Sequence, residues 1–315
     1  MHTFLTPDPI TVEIRNASGE IRIDLADVTT TTVDVIASAT HPLGFLDDVI
    51  RAAKTQFAGD RRAFAGSGKG RFDEPFDGNA VADDPADRVR VDLRESTADP
   101  VGSSTLIVDT DPARDGWKSS FTVHVTAPSA SGIRIQSQSA DVVVTGRADR
   151  LETRTASGDV SVADVDARSV VQTASGDVRI GSTADCDVRT ASGDIEVGKV
   201  SSEAILHSTS GDIRLDNATG NISARSVSGD VRVLDASTGR SEIITVSGEV
   251  EVGIHAGALA AIDLSTVSGT TSSDFEVSDQ VPSGEDDDAV QEGPVLDLRV
   301  KTTSGNIRLR RSIAI

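Results

Sequence analysis

The C-terminal half of the chain repeats one pattern of apolar and polar residues about every eighteen positions. In each repeat, aliphatic residues stand two positions apart, a threonine or serine follows, and a Ser-Gly dipeptide precedes two more alternating aliphatic residues. Alternation with a period of two is typical of a β-strand that buries one face. We therefore predict two short strands in each repeat, which meet at a corner formed by the Ser-Gly dipeptide.

The repeated phrase is nearly constant in five copies. Ala-Ser-Gly-Asp-Val occupies residues 156–160 and 174–178, and close variants occupy 191–195, 209–213 and 227–231. The corner glycines of the whole series are Gly158, Gly176, Gly193, Gly211, Gly229, Gly248, Gly269 and Gly305. A nearly fixed period predicts coils that stack, with each strand pairing with its equivalent one coil on. We predict an all-β fold, a single-stranded parallel β-solenoid (β-helix) with coils of about 18 residues.

The two faces of each strand are predicted to differ in their surroundings. Inward positions are those of Val171, Val188, Leu206, Ile243, Leu264 and Val300, followed two residues later by a column of Thr or Ser. Outward positions are those of Arg154, Gln172, Arg189, His207, Arg225 and Lys301. We expect the inward hydroxyls to donate and accept hydrogen bonds along the stack. We expect glycine at the corner because the bend requires a positive φ or close approach of the next coil.

The whole chain, 1–315, is predicted to be one solenoid domain. Residues 138–315 form the regular coils, and a first copy of the phrase at 16–21 indicates that the solenoid begins near the N terminus. Loss of periodicity over 41–87 predicts an inserted N-terminal cap or flap with a mobile loop. A second, acidic insertion over 272–294 explains the doubled spacing before the last corner glycine. With coils in chain order, the C-terminal coil would be the exposed end.

Composition narrows the classes of partner. A net charge of -20 over 315 residues argues against nucleic acid or an anionic membrane surface as a partner. No window approaches the ~18 apolar residues of a membrane span, so no membrane insertion is expected. The first residues lack the basic and apolar regions of a secretion signal, so we expect a cytoplasmic protein. The single cysteine, Cys186, lies on the inward parity of its strand, where we expect a buried apolar residue.

Residues that could carry chemistry are few, and we predict no catalytic, cofactor-binding or metal-binding residues. One aspartate follows each corner, as at Asp159, Asp177 and Asp194, and this column could collect calcium along the solenoid. An arginine two residues further on, such as Arg179, makes salt bridges and capping of the turn the simpler explanation. No phosphate loop, dinucleotide fingerprint or nucleophile elbow is present, and the histidines show no metal-ligand spacing.

The phrase Thr-Ala-Ser-Gly-Asp-Val-x-Val, at 155–162 and 173–180, resembles a bacterial β-strand-repeat family of unknown function known as the putative adhesin domain. The resemblance covers most of the chain, including its start at 4–23. It implies the predicted fold and a surface that binds rather than a reaction. We therefore expect a non-enzymatic scaffold or protein-interaction module. The alternative is an enzyme similar to the parallel β-helix polysaccharide lyases and hydrolases, which place charged residues on one outer sheet.

One outward column becomes more aliphatic toward the C terminus. It reads Ala156, Ala174, Ala191, Thr209, Val227, Val246, Val267 and Thr303. Either β-propensity or cover by an insertion explains such a column, and a contact surface is the functional alternative. The candidate interaction surface comprises Val227, Ile244, Val246 and Val267, continued by Ile313 and Ile315. Its expected partner is another protein or, through the C-terminal coils, a second copy of the chain.

Overall fold

The computed structural model of the chain describes residues 1–38, 89–95, 104–110, 120–275 and 295–312. Within these ranges all regular secondary structure is β-strand, and the strands belong to one hydrogen-bonded system. The predicted cap and loop at 41–87 lie outside the described residues, as do 276–294 of the acidic insertion.

Nineteen strands are described. The first seven are β1 (His2–Leu5), β2 (Thr11–Ala26), β3 (Thr30–Ser38), β4 (Arg90–Glu95), β5 (Ser104–Asp109), β6 (Ser120–Pro128) and β7 (Gly132–Arg154). The next six are β8 (Val160–Gln172), β9 (Val178–Arg189), β10 (Ile195–His207), β11 (Ile213–Ala218), β12 (Asn221–Ser228) and β13 (Val231–Ala236). The last six are β14 (Gly239–Ser247), β15 (Val250–Ile254), β16 (Leu259–Ser268), β17 (Thr271–Ser273), β18 (Val295–Ser304) and β19 (Ile307–Arg311).

The middle of the chain confirms the predicted parallel solenoid. β7, β8, β9 and β10 pair in parallel and in register, so that Val160 lies beside Val178 and Val178 beside Ile195. The corner serines continue the pairing from coil to coil, as between Ser175 and Ser192. Each of these strands pairs in two runs separated by a register shift, as 160–165 and 168–172 of β8 do, and we call the two stacks of runs the two sheets of the solenoid. The coil-to-coil spacing is that of neighbouring strands, about 4.8 Å.

The core lies between these sheets and consists of the predicted inward residues. Val171, Val188 and Leu206 each have none of their surface exposed, and Cys186 is 2% exposed. Most of the core is aliphatic, with Phe121 as a large aromatic member at the N-terminal end. Stacked aliphatic columns bury apolar surface continuously along the solenoid, which explains why a chain with 3% aromatic residues forms a long core.

At the C-terminal end the coils do not follow chain order. β18 lies between β14 and β16, so that Leu298 is paired with Ser241 on one side and Ile262 on the other. β19 likewise lies between β15 and β17. The last coil in the sequence is therefore inserted one position inside the stack, and among the described strands β16 and β17 form the end. The prediction that the C-terminal coil is the exposed end is wrong.

The inserted coil carries Leu296 where the terminal coil has Ala260, and this difference favours the observed order. Leu296, Leu298 and Val300 of β18 are all 0% exposed. The equivalent residues of β16 include Ala260 and Ile262, and Ile262 is 38% exposed. Placing β18 inside covers its leucines on both sides, whereas the reverse order would leave them at the open end.

The N-terminal end shows the same kind of inversion. β2 lies between β7 on one side and both β5 and β6 on the other. The prediction that the solenoid begins with the copy at 16–21 is therefore corrected, because β5 and β6 lie outside it. Beyond them, β3 runs antiparallel to β6, β1 antiparallel to β3, and β4 antiparallel to β5. Antiparallel strands thus cover this end of the parallel stack.

The acidic insertion begins later than predicted. Ser272 and Ser273 belong to β17 and pair with Arg308 and Leu309 of β19. The ring of Phe275, two residues further on, packs against the core, with the Arg311 guanidinium carbon 5.7 Å from its centroid. Residues 272–275 therefore belong to the terminal coil, and the rest of the predicted insertion lies outside the described residues.

Candidate functional site

The corner glycines fix the spacing of the coils. Gly193 and Gly211 have φ values of +148° and +155°, and a Cβ on either would lie 2.1 Å from the carbonyl oxygen of the preceding corner glycine. The Gly193 N–H donates to the Ser210 carbonyl of the next coil at 3.2 Å. Both reasons given for glycine here, positive φ and close approach, are thus confirmed. The corner has no room for a side chain, so its residues are structural.

The acidic column after the corner is a ladder of hydrogen bonds. The backbone N–H of Asp194 donates to Oδ1 of Asp177 at 3.0 Å, and that of Asp212 donates to Oδ1 of Asp194 at 2.8 Å. The ladder runs from Asp141 through Asp230, whose Oδ1 accepts from the N–H of Glu249 at 2.8 Å. One carboxylate oxygen of each step is thus committed to the next coil. This confirms turn capping as a role of the column.

Salt bridges occupy the remaining oxygens of several steps. Arg232 lies 2.8 Å from Oδ2 of Asp230 and 3.6 Å from Oδ2 of Asp212, and Arg179 lies 3.3 Å from Oδ2 of Asp177. In the part of the chain that the structure describes, no cluster of three or more His, Cys, Asp or Glu side chains could hold a metal ion.

The inward hydroxyl column behaves differently from the prediction. Thr155 Oγ1 donates to the carbonyl of Ser157 at 2.9 Å, and Thr266 Oγ1 donates to the carbonyl of Gly305 at 3.1 Å. These hydroxyls therefore satisfy corner carbonyls rather than one another. The expected ladder of hydroxyl to hydroxyl bonds is wrong at these positions, and the buried hydroxyls of Thr190, Ser208, Ser226 and Thr302 have no hydrogen-bond partner among the described residues.

The outward aliphatic column is exposed where the sequence places it. Val227, Val246 and Val267 are 50%, 46% and 82% exposed. Inversion of the coils changes their order, because Ser304 pairs with both Ser247 and Ser268 and so places Thr303 between Val246 and Val267. The structure therefore brings Val227 and Val246 side by side and sets Val267 two coils away.

The rest of the predicted surface is only partly described. Ile244 is half-buried and lies in register between Arg225 and Lys301. Arg225 is itself paired with Glu242 at 3.1 Å, so its charge is compensated beside the aliphatic residues. Ile313 and Ile315 lie outside the described residues. We call Val227, Ile244 and Val246 the valine patch, since these three occupy adjacent coils.

Sequence reasoning missed a second apolar feature, the outer edge of β16. Leu259 and Ile262 are 37% and 38% exposed, and Leu264 is half-buried although its column is fully buried in the middle coils. The sequence analysis assumed that the coils stack in the order of the chain, which placed β18 and β19 at the end of the solenoid. This feature was therefore not predicted. The 36-residue spacing between Gly269 and Gly305 was the available signal, since a long connection permits a coil to return inside its predecessor.

Two titratable groups near the middle coils have shifted pKa values. Burial, followed by the neighbouring Asp187 carboxylate, raises the pKa of the Cys186 thiol to about 12, as expected for an unreactive core cysteine. Partial burial lowers the pKa of His207, and the positive charges of Arg189 and Arg225 on either side lower it further. Neither group lies in a cleft where it could act on a substrate.

An open groove near the N-terminal coils tests the enzyme alternative. It is lined by Arg134, Asp149, Arg150, Glu152 and Arg168, among others. Its carboxylates are paired, Glu152 with Arg134 at 3.2 Å and Asp149 with Arg150 at 3.5 Å. The groove therefore offers charge but no arrangement specific to sugar cleavage.

Comparisons with known proteins identify the family. The model of the Toastrack DUF4097 family matches residues 77–310, well over half of the chain. The protein therefore belongs to the Toastrack DUF4097 family. The described part of the chain holds no helix with the length and hydrophobicity needed to cross a bilayer.

Two solved structures are similar to this chain. One is a putative cell adhesion protein from Clostridium sporogenes, 8% identical, with 98% of each chain covered and a TM-score of 0.24. The other is a putative adhesin from Bacteroides fragilis, 11% identical, with 98% of this chain and 95% of that chain covered and a TM-score of 0.36. No curated protein matches the chain.

Proposed function

We propose that the chain is a non-enzymatic, adhesin-like interaction module that binds a protein partner through the valine patch. The observation that carries this proposal is the exposure of Val227 and Val246, at 50% and 46%, side by side on the outer face of a stiff parallel sheet. The equivalent residues of the middle coils are alanines, such as Ala174 and Ala191. The larger aliphatic side chains at the C-terminal coils expose apolar area that is not needed for packing of the core.

The chemistry around the patch favours an apolar contact over binding of a charged ligand. Arg225, beside Ile244, is paired with Glu242, and Lys301 lies on the other side of Ile244. Charge of both signs therefore borders the patch, as in the polar rim of a protein interface, while its centre is aliphatic. The side chains of the patch are β-branched and have few rotamers, so little conformational entropy is lost on binding.

A double variant tests the proposal directly. Val227→Lys with Val246→Lys places two ammonium groups at the centre of the patch, where both side chains point to solvent, so folding should be unaffected. Ala174→Lys with Ala191→Lys is the matched control, because these exposed residues occupy the same column and add the same charge. A protein captured from cell extract by the wild-type chain is purified and its dissociation constant for all three chains is measured by calorimetry.

We expect the patch variant to weaken binding by at least about tenfold, which corresponds to about 1.4 kcal/mol, and the control to bind as the wild type does. Equal affinity of the patch variant and the wild type would exclude the patch as the binding surface. Turnover of an acidic polysaccharide that is lost on changing one carboxylate of the groove, such as Glu152, would instead support the enzyme alternative.

A further inference from the structure

The open groove near the N-terminal coils has a volume of about 770 Å³, which is typical of small-molecule sites. It crosses four neighbouring coils along one outward column, formed by Thr11, Gly132, Arg150 and Arg168. Thr11 pairs with Gly132, Arg150 pairs with Arg168, and a backbone hydrogen bond one residue earlier sets Arg150 beside Gly132. β7 and β8 carry the last three residues and are paired on both sides. The groove is therefore a feature of the outer face and not of an open edge.

Gly132 keeps the middle of this groove open, although the fold does not require glycine there. Its φ lies outside the left-handed region, and a Cβ at this position would meet only Thr11 Oγ1, at 3.7 Å, an ordinary contact. At the corner glycine Gly193, in contrast, a Cβ would overlap the backbone at 2.1 Å. Glycine weakens a strand and often marks a place where a ligand comes close to the backbone. Gly132 therefore provides space that backbone geometry does not demand.

Arg150 and Arg168 are the most exposed charges of the groove, and both are weakly compensated. Their side chains are 75% and 57% exposed. Arg150 lies 3.5 Å from Asp149 and Arg168 lies 3.8 Å from Asp187, whereas Arg189 lies 3.0 Å from the same Asp187. Contacts of 3.5 Å and more are too long for charge-assisted hydrogen bonds. Like charges directly opposite one another on adjacent strands also repel, so a bound anion would offset a cost of the fold.

The carboxylates of the groove narrow the class of anion. Three arginines line the groove beside two carboxylates, those of Asp149 and Glu152, so its net charge is +1 in a chain of net charge -20. A densely charged chain such as nucleic acid would be repelled by these carboxylates and by the rest of the protein. Hydroxyl groups would instead donate hydrogen bonds to them, since an ionised carboxylate only accepts. The groove therefore suits an anion of low charge density that carries hydroxyl groups.

The walls between the charged groups are partly aliphatic. Pro9 is exposed, and Val170 is half-buried in the strand position that follows Glu152 one coil on. Side chains of this kind pack against the C–H face of a sugar ring, while a few polar groups fix its orientation. A uronic acid combines a carboxylate for the two arginines, hydroxyl groups for the two carboxylates and an apolar ring face for the walls.

We propose that this groove binds the uronic acid residues of an acidic polysaccharide. The carboxylate of one sugar lies between the guanidinium groups of Arg150 and Arg168, whose forked N–H groups match a carboxylate, and the ring lies over Gly132. The sugar is bound and not cleaved, so the site belongs to an interaction module. It is separate from the valine patch, because Val227 lies four coils from Arg150 on the same outer face, about 19 Å away.

Isothermal titration calorimetry of the full chain with tetragalacturonate, an acidic sugar tetramer, tests the site. Arg150→Gln with Arg168→Gln removes two charges and retains exposed polar side chains, so folding should be unaffected. The matched control is Arg179→Gln with Arg214→Gln, because these exposed arginines lie in the other sheet and their loss changes the net charge equally. We expect the wild type and the control to bind equally and the groove variant to bind at least about tenfold more weakly.

Two further ligands separate an acidic sugar from its parts. Maltotetraose has hydroxyl groups without charge, and sodium sulfate has charge without a ring. Both should bind at least about tenfold more weakly than tetragalacturonate. Raising NaCl from about 0.05 to about 0.5 M should weaken binding of tetragalacturonate, because salt screens its carboxylates from the arginines. Sulfate that displaces the tetramer at equal concentration would identify a general anion site and overturn the proposal.

Gly132→Leu tests the shape of the groove at constant charge. The leucine side chain occupies the open space, and thermal unfolding followed by circular dichroism checks that the variant is folded. Binding should weaken at least about tenfold, and Gly132→Ala should have a smaller effect. Equal affinity of Gly132→Leu and the wild type would overturn the proposal, as would a wild type that does not bind tetragalacturonate at about 5 mM. Binding that is lost with the Val227 and Val246 changes, but not with the Arg150 and Arg168 changes, would also overturn it and place the sugar at the valine patch.

Discussion

The middle coils and the terminal coil use the same repeat, but their surroundings differ. In the middle, Leu206 lies between Val188 and Ala224 and is fully buried. In the terminal coil, Leu264 of the same column has Val300 on one side and no described strand on the other, and it is half-buried. An identical side chain in an identical column is therefore covered from two directions in one case and from one direction in the other.

This difference shows that the repeat sets local geometry, whereas stability depends on neighbours. The aspartate ladder gives a second example, because Asp194 both donates to Asp177 and accepts from Asp212. In the terminal coil the ladder ends at Thr270, whose N–H and Oγ1 both contact Oδ1 of Asn306, at 3.0 and 2.9 Å. Stacked repeats gain most of their stability from interfaces between neighbours, so an end coil contributes one interface instead of two.

The largest expected effect comes from the corner glycines. Gly211→Ala would place a Cβ 2.1 Å from the carbonyl oxygen of Gly193, and backbone on both sides prevents relaxation. We expect a loss of at least about 4 kcal/mol in the free energy of unfolding, the size reserved for such overlaps. Urea unfolding followed by circular dichroism provides the measurement.

Gly257→Ala separates the cost of steric overlap with a neighbouring coil from the cost of a positive φ. Gly257 lies in the turn before the terminal coil at φ +86°, and a Cβ there meets no atom within 4 Å. Its substitution should cost only the conformational penalty of about 1 to 2 kcal/mol. Similar losses at Gly211 and Gly257 would show that φ alone, and not the closeness of the coils, requires glycine at the corner.

The second prediction concerns the matched leucines. Leu206→Ala leaves a cavity enclosed by two neighbouring coils and should cost about 3 to 5 kcal/mol. Leu264→Ala removes a half-exposed side chain at the open end, where solvent fills the space, and should cost at most about 1.5 kcal/mol. The free energy of unfolding of both variants is measured by urea unfolding at the same low protein concentration. Equal losses would mean that the terminal coil is covered as completely as the middle coils.

The sequence predicts the repeat well because each of its rules acts within one coil. Inward parity, the corner glycine and the burial of Cys186 follow from alternation and from the bend, and all three are confirmed. The order of the coils, in contrast, depends on which of two equivalent strands pairs with β14. β14 offers Thr245 and Ser247 to the next strand, and either β16 or β18 matches this frame with its own Thr and Ser. Periodicity therefore cannot tell which of the two lies inside.

The same ambiguity in the order of the coils limited what could be predicted for the candidate interaction surface. Exposure of Val227, Val246 and Val267 was predictable, because an outward position stays outward in any order of coils. Their adjacency was not, because insertion of β18 separates Val246 from Val267 with Thr303. The open edge at Ile262 was hidden for the same reason. Interaction as the role of these residues remains a prediction.

A third prediction compares carboxylates of the two regions. Asp194→Ala removes the acceptor of the Asp212 N–H, and the loss should be about 1 kcal/mol, while Asp194→Asn retains an acceptor and should lose less. Asp263→Ala in the terminal coil breaks only an exposed salt bridge to Arg299, for which about 0.5 kcal/mol is expected. Differences in the midpoint of urea unfolding report both. A larger effect at Asp263 than at Asp194 would refute the ladder as the main role of the acidic column.

The smallest expected effect is a pH dependence that arises from His207 in the middle coils, since the terminal coil carries the uncharged Ser265 in that column. Burial and the flanking Arg189 and Arg225 lower the pKa of His207 in the folded protein below its ordinary value of 6.5. Above pH 6.5 the imidazole is neutral in both states and does not affect stability. As the pH falls below 6.5, the unfolded chain takes up the proton first, so folding becomes less favourable until the folded pKa is passed. His207→Gln should therefore lose less stability than the wild type between about pH 7.5 and about pH 5.5, as measured by urea unfolding at the two pH values. Equal losses in the two proteins would show that His207 accepts its proton as readily when folded as when unfolded, and that the two regions do not differ in this respect.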